Sequence, residues 1–168
     1  DELALRRAAA DAGGRSLVVR VFNVAGPWLL KPEAFALSDI IRQVGEGGPV
    51  RIRATPPVVR SYVDVEDLVS VMIAASLDGS LPGDVVVDTA GEFEVEVGDL
   101  AASVTRVMGR PEVSIERAYD SAAAADRYVG DAGELAGLAD RVGIPLRGLD
   151  EQIVRTAQGM GVPAANST

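Results

Sequence analysis

Residues 16–24 (SLVVRVFNV) form a near-continuous apolar run. That is the pattern of a strand covered on both faces, as in a parallel sheet. Only a helix-patterned segment precedes it: residues 1–12 place Leu3, Leu5 and small alanines on one side, and Gly13-Gly14 ends the segment. A parallel strand needs sheet neighbours, and those of residues 16–24 are therefore expected to come largely from elsewhere. The chain reads as the second half of a larger sheet.

The rest of the sequence keeps alternating. Residues 33–44 have helical spacing, and two short strands follow at VRIRA (from Val50) and VVRSYVDV (from Val58). Asp64 or Asp67 is placed to cap the next helix, which carries Leu68, Val71, Met72 and Ala75 on one face. DVVVDTAG is a second buried-type strand, residues 98–108 a helix, and residues 113–117 a strand. Residues 135–141 and 149–158 are helical, and the VPAANST tail is expected to fray. Helix and strand in alternation imply α/β with a mainly parallel sheet. No linker interrupts the chain, so residues 1–168 are read as one unit.

Charge and composition narrow the chemistry. Against 25 Asp+Glu stand 16 Lys+Arg, a net charge of −9, which argues against a nucleic-acid partner. With no His and no Cys, a Ser-His-Asp triad, a thiolate nucleophile and His- or Cys-ligated metals are excluded. No run approaches a membrane span and no signal-peptide pattern opens the chain, so the expected location is the cytoplasm. The chemistry left is that of Arg, Tyr, carboxylates, hydroxyls or a cofactor.

The candidate ligand residues lie at strand ends. Asn23, in RVFNVAGP, would sit at the carboxyl end of a buried strand, where open α/β sheets bind ligands; the alternative is a plain strand-end turn. Arg60 starts a strand in apolar surroundings, suited either to bidentate binding of phosphate or carboxylate or to an internal ion pair with Asp64, Asp67 or another acid. Asp67 itself reads as a helix cap in preference to a catalyst. Arg51 and Arg53 share one face of VRIRA and, with Arg60, could make a local positive site or simply a solvated face. Asp84, Asp88, Glu92, Glu94, Glu96 and Asp99 read as solvated surface, and Trp28 as a plug at the core edge or a stacking platform.

Taken in order, these segments resemble one family. RVFNVAGP is similar to the Arg-x-Phe-Asn-Val-Tyr-Gly-Pro segment of the extended short-chain dehydrogenases, the NAD-dependent epimerases and dehydratases of nucleotide sugars. RSYVDVEDL resembles their Arg-x-Phe/Tyr-Val-x-Val-x-Asp-Leu segment. DVVVDTAGEFEVEVGDLAASVTRVMGRP resembles the Asn-Val-Gly-x-Gly stretch and the helix after it, and DRYVGDAGELAGLADRVGIPLRGLDEQIVRTA the final Arg-x-x-x-Asp segment with its turn and closing helix. Three departures stand out: Ala25 for the usual Tyr, ATPPVV for a glycine-rich turn, and Asp88 where Asn is commoner.

The resemblance implies the C-terminal part of a Rossmann-like fold, a partial parallel sheet merged with a small substrate-binding lobe. Neither a Gly-x-x-Gly-x-x-Gly loop nor a Tyr-x-x-x-Lys pair occurs in the sequence, so the N-terminal dinucleotide-binding half is expected to be absent and this chain alone inactive. By the same resemblance the cofactor of the intact enzyme is NAD or NADP. Phe22 would lie beside the nicotinamide and Asn23 would contact the sugar or phosphates. Arg60 would grip the pyrophosphate, Arg53 would stand against the base, and Arg117 would be a second phosphate or ribose contact. The implied function is to orient a nucleotide sugar against the nicotinamide. A non-catalytic binding or assembly module and an NADP-dependent reductase are the alternatives. A homo-oligomer, or pairing with the missing half, is the expected assembly.

Overall fold

The computed structural model describes residues 2–28, 34–79, 81, 83–91 and 93–164. Helix α1 (Glu2–Asp11) leads into β1 (Leu17–Arg20) and β2 (Val24–Ala25), then α2 (Ala36–Gly45). Next come β3 (Val50–Ile52), β4 (Val58–Arg60), β5 (Val63–Asp64) and α3 (Val65–Leu77). Strands β6 (Val85–Asp88) and β7 (Val95–Glu96) precede α4 (Val97–Val107). Strands β8 (Ile115–Arg117) and β9 (Asp126–Tyr128) and helices α5 (Ala132–Val142) and α6 (Leu149–Gly159) follow.

The strands form four small ladders: β1-β6, β2-β5, β3-β8 and β7-β4-β9. All are parallel except β4 with β7. The mixed α/β architecture with parallel pairing is as the sequence alternation implies.

Residues 16–24 do not make one strand. β1 pairs with β6, Leu17 opposite Val85, and the chain then leaves that ladder at Val21 to pair again as β2 with β5, Val24 opposite Val63. Thr89 marks the exit, its N–H donating to the Arg20 carbonyl and its hydroxyl accepting from the Phe22 N–H at 2.8 Å. Nor is β1 an orphan. The long DVVVDTAG segment returns through a crossover to fill one of its edges, and only the other edge lacks a strand among the described residues.

Two apolar clusters result. One joins α2, α4 and α6 around Ile41, Val44, Leu100, Val104, Ile153 and Tyr62. The other joins α3 and α5 over the β1-β6 ladder around Leu68, Val71, Val87, Leu135 and Leu138. The seam between them runs along β2-β5: Ala25 and Tyr62 belong to the first cluster, while Val63 belongs to the second and Val24 packs against it.

Asp64, fully buried, caps α3 by accepting from the Glu66 N–H at 2.9 Å. Asp67 is not the cap. It sits inside the first turn, accepts from the Arg147 N–H at 2.8 Å and pairs with the Arg147 guanidinium. Burial raises its carboxyl above the usual range, with Arg147 opposing. The terminal residues 165–168, where fraying is expected, lie outside the described residues, as do Glu33 and Glu92.

Candidate functional site

The carboxyl ends of β1 and β6 open side by side, and the residues just beyond them converge on β9. The Phe22 and Tyr128 rings meet with centroids 4.7 Å apart. Asn23 donates from Nδ2 to the Tyr128 carbonyl at 3.1 Å. Arg60 stands opposite Tyr128 in the β4-β9 ladder. Three sequence-predicted residues, Phe22, Asn23 and Arg60, are thus gathered around a strand that the sequence reading did not mark. Its approach depends on Gly130: a Cβ there would lie 2.7 Å from the Asp88 Cβ and 3.2 Å from the Phe22 ring.

Arg60 is partnered, but loosely. Its Nη2 reaches Asp126 Oδ2 at 2.8 Å, and its Nη1 donates to the carbonyls of Val59 and Asp126. The acid is neither Asp64 nor Asp67, and its side chain is 57% exposed. An exposed carboxylate of this kind is worth little in water and can be displaced by a better acceptor. Tyr62, two residues on, is buried, and burial pushes its phenol up to about 12, with Arg60 opposing. It remains protonated at neutral pH and is no proton acceptor.

Arg53 lies elsewhere, on an exposed face without an acceptor among the described residues. With Arg51, Arg42, Gln43, Ala54 and Val58 it lines a cavity of about 400 Å³ between α2 and β3. Arg51 pairs with Glu116 at 3.1 Å, and Arg60 does not line this cavity, so the three arginines do not form one positive site.

Arg117 is committed within the chain. It donates to the carbonyls of Ala54 and Pro56 at 2.8 and 2.6 Å and pairs with Glu96 at 2.9 Å, with 8% of its side chain exposed. It therefore pins the ATPP turn that precedes β4. Glu96 is not solvated surface. It caps α4 through the Gly98 N–H and also accepts from the Val58 N–H. Burial pushes its carboxyl up, but these two N–H groups and Arg117 outweigh that and hold it below its ordinary value. Trp28 is 70% exposed and donates to Glu66, so it plugs no core edge.

The Phe22 and Tyr128 rings make a partly exposed aromatic face beyond the ends of β1 and β6. The sequence holds no Gly-x-x-Gly-x-x-Gly loop of the kind that cradles a dinucleotide pyrophosphate. Among the described residues no cluster of acids is arranged to hold a metal, and no helix is long and apolar enough to cross a membrane.

The fold is shared with several solved structures. It superposes on UDP-N-acetylglucosamine 4-epimerase of Methanobrevibacter ruminantium, in complex with UDP-N-acetylmuramic acid, with TM-score 0.73 and 18% identity over 95% of this chain and 50% of that one. UDP-glucose 4-epimerase of Thermus thermophilus, in complex with NAD, matches with TM-score 0.70 and 20% identity over 95% and 51%. RMD of Pseudomonas aeruginosa, complexed with NADPH, matches with TM-score 0.68 and 21% identity over 94% and 51%. The chain thus spans about half the length of these structures. No curated protein matches it. The model of the NAD dependent epimerase/dehydratase family matches residues 2–87, and the chain belongs to that family.

Proposed function

We propose that this chain supplies the nucleotide-sugar-binding part of an NAD(P)-dependent epimerase or dehydratase. The observation that carries the reading is the convergence of Phe22, Asn23 and Arg60 on Tyr128 at the carboxyl ends of the parallel strands. Arg60 exchanges the exposed Asp126 for the diphosphate, whose paired oxygens match its planar fork. Asn23, with a donor and an acceptor on one amide, orients the sugar. Arg53 meets the base in the cavity against α2, and Arg117 acts as a strut that fixes the turn between Arg53 and Arg60.

NAD or NADP, when bound in the intact enzyme, supplies hydride transfer. No chemical step is assigned to this chain: its part is to bind, and to hold the reacting carbon toward the Phe22–Tyr128 face. The family membership and the sugar nucleotides bound by the structural relatives support this reading. Calorimetric titration of the chain with UDP-glucose, dTDP-glucose and GDP-mannose tests it. Saturable 1:1 binding of at least one is expected; heat of dilution alone for all three contradicts it.

A further inference from the structure

Helix α6 turns an unusual face to the seam between the two apolar clusters. Ile153 and Ala157 are buried in the first cluster. The neighbouring stripe is polar and equally buried: Gln152 is 1% exposed and Thr156 fully enclosed. Each reaches one of the two segments that carry the ligand residues. The Thr156 hydroxyl accepts from the Gly26 N–H at 2.8 Å while donating to the Gln152 carbonyl. Gly26 follows β2, three residues beyond Asn23. Gln152 Nε2 donates to the Tyr62 carbonyl at 3.3 Å and to the Arg147 carbonyl at 2.7 Å. Tyr62 lies two residues beyond Arg60. Gly159, one turn on, lets Pro27 close against the helix: a Cβ there would fall 2.2 Å from the Pro27 Cα.

A polar stripe of this kind is not the cheapest way to fill a seam. Gln152 Oε1 is buried without a donor among the described residues, a state that costs stability and that an apolar side chain would avoid. We infer that Gln152 and Thr156 are positioning residues: they fix the separation between the segment bearing Asn23 and the segment bearing Arg60, and so the width of the diphosphate site. The inference rests on the reading of Asn23 and Arg60 given above. The two segments pair directly as the short β2-β5 ladder, which opens with the Val63 N–H donating to the Asn23 carbonyl at a long 3.3 Å. The α6 stripe holds both from behind.

Thr156→Val removes the hydroxyl and keeps the shape; Thr156→Ser keeps the hydroxyl. Three readouts on the 168-residue chain decide the matter: the melting temperature, hydrogen exchange at the Val63 amide, and calorimetric affinity for UDP-glucose, dTDP-glucose and GDP-mannose. Positioning predicts that Thr156→Val, which leaves the buried Gly26 N–H without its acceptor, still melts cooperatively, roughly 2–10 °C below the parent. It exchanges the Val63 amide about tenfold faster and binds the sugar nucleotide about five- to tenfold more weakly, the size of one lost hydrogen bond. Thr156→Ser restores both. Gln152→Met is expected to behave like Thr156→Val at the Val63 amide. Uniformly faster exchange with unchanged affinity overturns the inference, and so does a Ser variant that restores neither readout. Failure of the parent chain to bind any of the three probes overturns the ligand reading instead, and the Val63 amide then decides alone whether α6 holds the two segments together.

Discussion

Arg60 and Arg117 carry the same charge, lie in neighbouring ladders and do different work, and the difference is in their partners. Arg60 faces an exposed acid that contributes little, so Arg60→Ala is expected to lower stability by under about 1 kcal/mol. The same change removes a charge-assisted fork worth about 1.5–3 kcal/mol to a diphosphate, roughly a factor of 10 to 150 in affinity. Arg60→Lys should recover part of that and no more; calorimetry and thermal melting on the three proteins check it. Arg117→Met is the mirror image. It strands Glu96 and two carbonyls, and is expected to cost about 3 kcal/mol, or roughly 6–12 °C in melting temperature, with little change in sugar-nucleotide affinity. The pH sign follows from Glu96, whose carboxyl is held below its unfolded value. Its contribution is present above about pH 4.3 and is lost as pH falls through the lowered folded value. The melting gap between parent and Arg117→Met should therefore narrow in acid, and a gap that widens below about pH 4 would contradict the strut.

Among the elements, those with strong local signals are legible in the sequence. Residues 85–88 announce a buried strand, and the helices α3 to α6 follow their apolar spacing. What the sequence does not show is the partners. The apolar run of residues 16–24 is uniform, yet the exit at Thr89 splits it between two ladders, a tertiary event with no local mark. Strand β9 carries no sequence pattern because Asp126, Arg127 and Tyr128 are all exposed and neither alternate nor cluster; they join β4 through the backbone ladder and the Arg60–Asp126 ion pair. The signals in the sequence are the family-like DRYVGDAGEL segment and, within it, Gly130 beside Asp131, the α5 cap, a glycine that marks a close approach as well as a helix start. Gly130→Ala tests that approach. A methyl 2.7 Å from Asp88 and 3.0 Å from the Thr89 carbonyl has to move backbone, so a loss of about 1–3 kcal/mol and a weakened sugar-nucleotide affinity are expected. An unperturbed melting curve with full affinity would mean that β9 does not set the site.

For the molecule as a whole, the motifs carry the family and the fold, while the ion pairs and the two-cluster core emerge only with the coordinates. The open edge of β1 is the feature that most affects behaviour in solution. Among the described residues no strand pairs with that edge, and Val21 beside it and Leu3 and Leu5 of α1 are exposed; such an edge is a template for pairing with another chain. Concentration-dependent association is expected for the 168-residue chain, and light scattering that shows a compact monomer at high concentration would count against it. Above all, these residues are held to bind the sugar nucleotide and not, by themselves, the dinucleotide. Side-by-side calorimetry of the chain with NAD and with the best sugar nucleotide, repeated on Arg60→Ala, separates the two. Saturable sugar-nucleotide binding that Arg60→Ala weakens at least about tenfold is expected, with no micromolar binding of NAD; a micromolar dissociation constant for NAD, or sugar-nucleotide affinity indifferent to Arg60→Ala, would refute this assignment.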